Sequence, residues 1–234
     1  GAFGFADRTN GNAMMLDNIV RVNTLSETLV VAAALRLVAA SVLPSIDSTI
    51  PTTYLPQQVS LINPAHATTP ITLRMLMTHT STLSDASFET ARRTSPTAVV
   101  DLRSFVTSYM VTSSGGVNTL STSIFTAGAT PGSTAAYNYA RINTAVLTFI
   151  IEMAVIANPG QITGTTYTAL AYVREKILSP LGMSDTVTMT TTGGFPTLSY
   201  PTLGDAYSER VVEDRSSAGT TLTSRTLHPA YFSD

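Results

Sequence analysis

Cysteine and tryptophan are absent from these 234 residues, and lysine occurs once, at Lys176. Without cysteine there is no disulfide, no thiolate nucleophile and no cysteine-based metal site. Redox compartment therefore cannot be read from cysteine usage, and extracytoplasmic and organellar (mitochondrial) locations both stay open. A lysine-based mechanism is confined to Lys176. Charge is scarce as well: Asp, Glu, Lys and Arg together make up 12 %, about half the usual ~25 %. A net charge of −2 gives no electrostatic case for binding nucleic acid. No N-x-[ST] sequon occurs, and no signal-peptide pattern opens at Gly1. Long apolar runs are missing too. The two most apolar stretches, Leu29–Leu43 and Val146–Ala157, are interrupted by Arg36 and Glu152 and fall short of the ~20 residues of a membrane span. Both read as core helices.

What is present is a chain long enough for one sizeable core, read as one domain over 1–234 with a mainly helical subregion at 70–180. Its organising stretch is Val22–Ala40, a polar start followed by an almost wholly apolar helix. A helix apolar on nearly every face belongs in the middle of a fold, so this one is expected to be the most buried. Thr24 and Glu27 have the Thr-x-x-Glu spacing of a capping box. Gly1–Asp7 reads as a strand running into the polar turn Arg8–Asn12. Thr72 is expected to cap a helix whose Leu73, Leu76 and Met77 point inward. Thr97–Met110 and Thr166–Leu178 read as amphipathic helices and Ile142–Ile156 as an apolar one. Val111–Thr130, rich in Ser, Thr and Gly, reads as loop. Val187–Thr202 suggests strand and turn around Gly193-Gly194.

Several of these stretches also resemble, in order, the serine β-lactamase and penicillin-binding-protein family, its class C-related DD-peptidases and esterases in particular. Gly4-Phe5-Ala6-Asp7 resembles the family's "G-F/Y-A-D" strand end, with Asp17, Ile19 and Arg21 following at the family's spacing. Ile71–Leu83, carrying Met77-Thr78-His79-Thr80-Ser81, resembles "I-T-L-R-H-L-L-T-H-T-S-G-L". Pro131-Gly132 followed by Tyr137 resembles "P-G-x-x-F-x-Y-S-N", and Ile177–Thr186 resembles "I-x-x-P-L-G-M-x-D-T". Ser217–Ser224 is similar to "A-G-G-L-x-S-T". The resemblance implies an α/β (α+β) fold, an antiparallel sheet flanked by helices with a helical subdomain. It also implies that much of that sheet lies outside 1–234, leaving the chain incomplete at both ends of the sheet. The missing strands are then expected from another part of the polypeptide, a companion chain or a neighbouring subunit. Thr82 stands where the family has glycine, so a positive φ is not expected there.

In the family a Ser-x-x-Lys tetrad opens the buried helix, and a Tyr-x-Asn loop supplies a second base and an orienting amide. The resemblance places Thr24 at the nucleophile, Glu27 at the lysine and Tyr137 at the tyrosine, with Tyr139 in place of the asparagine. A hydroxyl and a lysine three residues apart share a helical face. A carboxylate in the lysine position would instead repel the negative charge of a tetrahedral intermediate. Thr24 and Glu27 as caps, and Tyr139 as core packing, are the plainer readings. His79 reads as a turn histidine, while His66 lies in a loop close to Pro64 and His228 beside Pro229. No metal-ligand spacing is found, and no cofactor is expected. The leading expectation is a catalytically degenerate structural or interaction subunit with protein partners, no nucleic acid and no transmembrane segment. The alternatives are a hydrolase using Thr24 or Ser26 with Tyr137, and a non-catalytic binder of peptide or acyl ligands.

Overall fold

The structure is a computed structural model, and the residues described are 1–7, 11–16, 23–86 and 101–183, together with the backbone pairing of 191–192 with 195–196. Expectations for Asp17, Ile19, Arg21, the Arg92-Arg93 pair, Ser184-Asp185-Thr186, Ser217–Ser224 and His228 lie outside the described residues.

The centre of the fold is Arg141–Ala157. Every residue from Ile142 to Glu152 is buried in it, and so are Ala154 and Val155. The helices Ser26–Ala39 (α1), Leu73–Met77 (α2), Leu102–Met110 (α3) and Ala169–Val173 (α5) all pack against this central helix, α4. Surrounded in this way, α4 can be apolar on every face. Helix α1 buries only one stripe, Val30, Ala33, Ala34 and Leu37, while Leu35 is 44 % exposed. The expectation that 22–40 is the most buried helix is therefore corrected. Three alanines in a row, Ala32 to Ala34, make α1 apolar by composition, but its inward stripe is narrow. Apolar residues on its other face meet no partner among the described residues that buries them.

The helix starts follow capping chemistry. The Thr72 hydroxyl accepts from the Met75 N–H at 3.4 Å, Asp101 accepts from the Ser104 N–H at 3.1 Å, and Thr168 accepts from the Ala171 N–H at 3.1 Å. Leu73 and Leu76 are buried as expected, and Met77 is half-buried. Helix α5 starts later than the sequence suggests. It continues as a π-type turn over Arg174–Leu178 and a 3-10 turn over Ser179–Leu181. Gly182 then ends it at φ +68°, in the left-handed region where glycine is unstrained.

The described sheet is fragmentary. Phe5–Asp7 (β1) pairs antiparallel with Asn12–Ala13 (β2), Val111–Ser114 (β3) with Val117–Leu120 (β4), and Thr191–Thr192 (β5) with Phe195–Pro196 (β6). The β3–β4 hairpin overturns the loop reading of Val111–Thr130. Val111 faces Leu120 and Ser114 faces Val117 across a Gly115-Gly116 turn, whose φ values of +58° and +80° suit a tight two-residue connection. Its exposed residues, such as Thr112, Ser113, Asn118 and Thr119, give no alternation of apolar and polar for the sequence to display.

Thr82 also departs from expectation, with φ +69°, a costly conformation for a β-branched residue. Its surroundings hold it there. The buried Asn63 amide donates to the Thr82 hydroxyl at 2.9 Å, and the Thr82 carbonyl accepts from the Thr126 N–H at 2.8 Å.

Candidate active-site cluster

Thr24 lies in a 3-10 turn, Asn23–Leu25, that leads straight into α1. Leu25 stands at the cap position of α1 with helical angles, φ −59° and ψ −22°, so the place a capping hydroxyl would take is held by an apolar residue and Thr24 lies one residue before it, within the 3-10 turn. No side-chain cap forms at this helix start. The capping-box reading of Thr24 and Glu27 is thus corrected. Thr24 is exposed, and its hydroxyl has no hydrogen-bond partner among the described residues.

Glu27 points the other way in chemistry. The Tyr139 phenol donates to its Oε1 at 2.7 Å, and Oε2 lies 3.5 Å from His79 Nε2. The side chains of Glu27 and His79 are each only 14 % exposed. The His79 and Tyr139 rings meet at 4.7 Å between centroids, tilted by 44°. Desolvation pushes the Glu27 carboxyl upward, but hydrogen bonding from His79 and Tyr139, His79's charge and Thr144 together outweigh it and hold the group below the ordinary glutamate value. Glu27 is therefore ionised near neutral pH, with its lone pairs already engaged.

Tyr139 was expected in the core. It is 45 % exposed instead, with its hydroxyl bound to Glu27 in the first turn of α1. His79 follows α2 at φ +54°, with Nδ1 3.2 Å from the Ala140 carbonyl. Its own carbonyl accepts from the Asn138 N–H at 3.0 Å. The turn after α2 and the loop before α4 are joined at this point. Tyr137, two residues along that loop, is 65 % exposed. No hydrogen bond connects it to Thr24, Ser26 or Glu27.

The structure thus brings together Glu27 and Tyr139, which the sequence resemblance sets at the tetrad lysine and the loop asparagine, while Tyr137 makes no hydrogen bond to Thr24 or Glu27 among the described residues. Residues that sequence reasoning missed sit just behind. Asp85 accepts from the Arg141 and Ile142 N–H groups at 2.8 and 3.0 Å, capping α4 from 56 residues upstream. The buried Ser81 hydroxyl donates to Asn143 Oδ1. His79 was visible in the Met77–Ser81 motif, but its contact with Glu27 was not. Among the described residues no group of three His, Asp or Glu side chains could hold a metal, and no helix is long and apolar enough to cross a membrane.

A carboxylate whose folded-state pKa is lowered contributes stability that is fully present above its unfolded pKa and is lost as pH falls through the folded one. Wild type should therefore exceed Glu27→Gln in stability at pH 7. The gap should close as the solution is acidified through the glutamate range, as measured by urea unfolding across pH. A gap that widens toward acid would mean that Glu27 is held protonated.

A central helix enclosed by helices, with small antiparallel sheet pieces, fits an α/β fold of the β-lactamase type. The family model described as Beta-lactamase matches residues 1–227, and the chain belongs to that family, whose members are serine hydrolases. Similar solved structures include a penicillin binding protein from Bacillus halodurans, with 18 % identity, TM-score 0.52 and coverage of 80 % of this chain and 49 % of that one. A D-amino acid amidase from Ochrobactrum anthropi SV3, complexed with L-phenylalanine amide, matches at 18 % identity and TM-score 0.51, over 78 % of this chain and 42 % of that one. EstCE1, described as a hydrolase with promiscuous acyltransferase activity, matches at 18 % identity and TM-score 0.55, over 88 % of this chain and 56 % of that one. The chain spans about half the length of these structures. A comparison with curated proteins returns no match.

Proposed function

We propose that this chain is a catalytically degenerate member of the β-lactamase family that serves as a structural or interaction subunit. The observation that carries the reading is the state of Glu27. In the lysine position the family needs a group that accepts a proton or stabilises an oxyanion. Here that position holds an ionised carboxylate bound to Tyr139 and facing His79. Its charge opposes an oxyanion, its lowered pKa makes it a poor base, and the Thr24 hydroxyl has no general base hydrogen-bonded to it among the described residues. The interaction role is supported by the scarcity of charge and by exposed apolar side chains at Phe3, Leu16 and Leu25, which are 89 %, 84 % and 66 % accessible. Burying such side chains against a partner removes apolar area from water.

The reading makes restoration hard. Residues that act as a unit do not return activity singly, and Tyr139 still occupies the asparagine position. The double substitution Thr24→Ser with Glu27→Lys should therefore leave chromogenic short-chain esters unhydrolysed above the buffer rate. Turnover by the double variant would show a cleft needing only its tetrad, and turnover by wild type would overturn the proposal outright.

A further inference from the structure

A groove of about 530 Å³ runs along α3, against the β3–β4 hairpin and the turn at Gln57. Its size falls within the range of small-molecule sites. The face of α3 that lines it carries Arg103, Ser104, Thr107 and Ser108, spaced three and four apart so that they share one side of the helix. Asn118, paired across the hairpin with Ser113, faces them, and Val111 is the one apolar side chain in the lining.

The polar groups fall into two chemical sets. The Ser104 hydroxyl donates to Asp101 Oδ2 at 2.6 Å, and the Ser108 hydroxyl donates to the Phe105 carbonyl at 3.0 Å. With their protons committed, both oxygens offer lone pairs to donors entering the groove. Arg103 and the amides of Gln57 and Asn118 supply donors. Arg103 is anchored through Nε, 3.3 Å from Glu152 Oε1, and Glu152 is itself only 10 % exposed. The second carboxylate oxygen of Glu152 accepts from the Ala169 N–H at 3.2 Å. The guanidinium's terminal nitrogens make no hydrogen bond among the described residues. Beside them the chain holds two successive non-glycine residues in the left-handed region, Gln57 at φ +49° and Gln58 at φ +56°. Strain of this kind concentrates at ligand-binding sites.

We propose that this groove binds a small hydroxy-carboxylate of the sugar-acid class, its carboxylate on Arg103 and its hydroxyls donating to Ser104 and Ser108. A planar guanidinium fork matches a carboxylate, acceptor hydroxyls match a polyol, and among the described residues no aromatic side chain lines the groove to stack a neutral ring. The groove shares no residue with the Glu27 cluster, so the inference holds whether or not Thr24 can react.

The test is a titration of the isotopically labelled chain with galacturonate, galactose and acetate, followed by NMR. Galacturonate should give saturable shifts centred on α3 and the hairpin, with galactose and acetate each at least about tenfold weaker, since a charge-assisted hydrogen bond set is lost in one and the hydroxyl contacts in the other. Arg103→Gln should weaken galacturonate by about tenfold or more. If removing the partner of Glu152 unfolds the protein, Asn118→Ala, which leaves that ion pair intact, should still weaken binding. Equal binding of galactose, equal binding of acetate, shifts centred elsewhere, no saturable shift at all, or galacturonate binding that survives both substitutions would each overturn the proposal.

Discussion

Ile150→Ala should destabilise the protein by about 2–5 kcal/mol, and Leu35→Ala by less than about 1 kcal/mol, in equilibrium urea unfolding. Ile150 is fully buried in α4. Truncating it removes transfer free energy and leaves a cavity that helices packed around α4 cannot all collapse to fill. Leu35 lies in the stretch that looks most like a buried helix from sequence, yet it is 44 % exposed on α1. Little area is lost on its removal. The contrast between two aliphatic truncations in two apolar helices tests which helix is central. Equal costs would mean that the outer face of α1 is covered in the folded protein.

Asp85→Ala should cost about 2–4 kcal/mol, beyond an ordinary cap, in the same measurement. Helix α4 has no capping side chain of its own, because Ala140 stands at its cap position. Asp85 meets the first two N–H groups of the helix at 2.8 and 3.0 Å, and its carboxylate also lies 3.5 Å from Arg141 Nε. A capping bond is worth ~1 kcal/mol, and a carboxylate at a helix N-terminus gains from the dipole. Two donors left unsatisfied beside a buried helix add the cost of desolvation. Asp85→Asn should recover part of the loss, since its side-chain oxygen can accept one of the two bonds. A loss below about 0.5 kcal/mol for alanine would show that solvent replaces the carboxylate freely.

The family and its order of elements were legible because they are carried by local, contiguous chemistry. The turn at Met77–Ser81, the Pro131-Gly132 step and the Pro180-Leu181-Gly182 closure each fix a backbone conformation over a few residues, and Gly132 and Gly182 take the positive φ values of +84° and +68° that glycine permits. Thr72 as a cap was equally local. What was not legible depends on which surfaces meet. Composition made α1 look central, while the partners that enclose α4 come from four separate segments. Glu27 fitted a capping box by spacing, but Leu25 rather than Thr24 stands at the cap position, and the carboxylate instead binds Tyr139, 112 residues later. The left-handed Thr82 was hidden for the same reason, since Asn63 and Thr126 impose it from a distance. The hairpin at β3 and β4 was missed because polar strands carry no period.

At the start of α1, a Thr24 that neighbours an engaged Glu27 is expected to form no acyl-enzyme. Intact-mass spectrometry after incubation with a fluorescent penicillin and, separately, a fluorophosphonate reads covalent modification directly. No covalent adduct is expected on the wild-type chain with either reagent. A stoichiometric adduct that disappears in Thr24→Ala would contradict it.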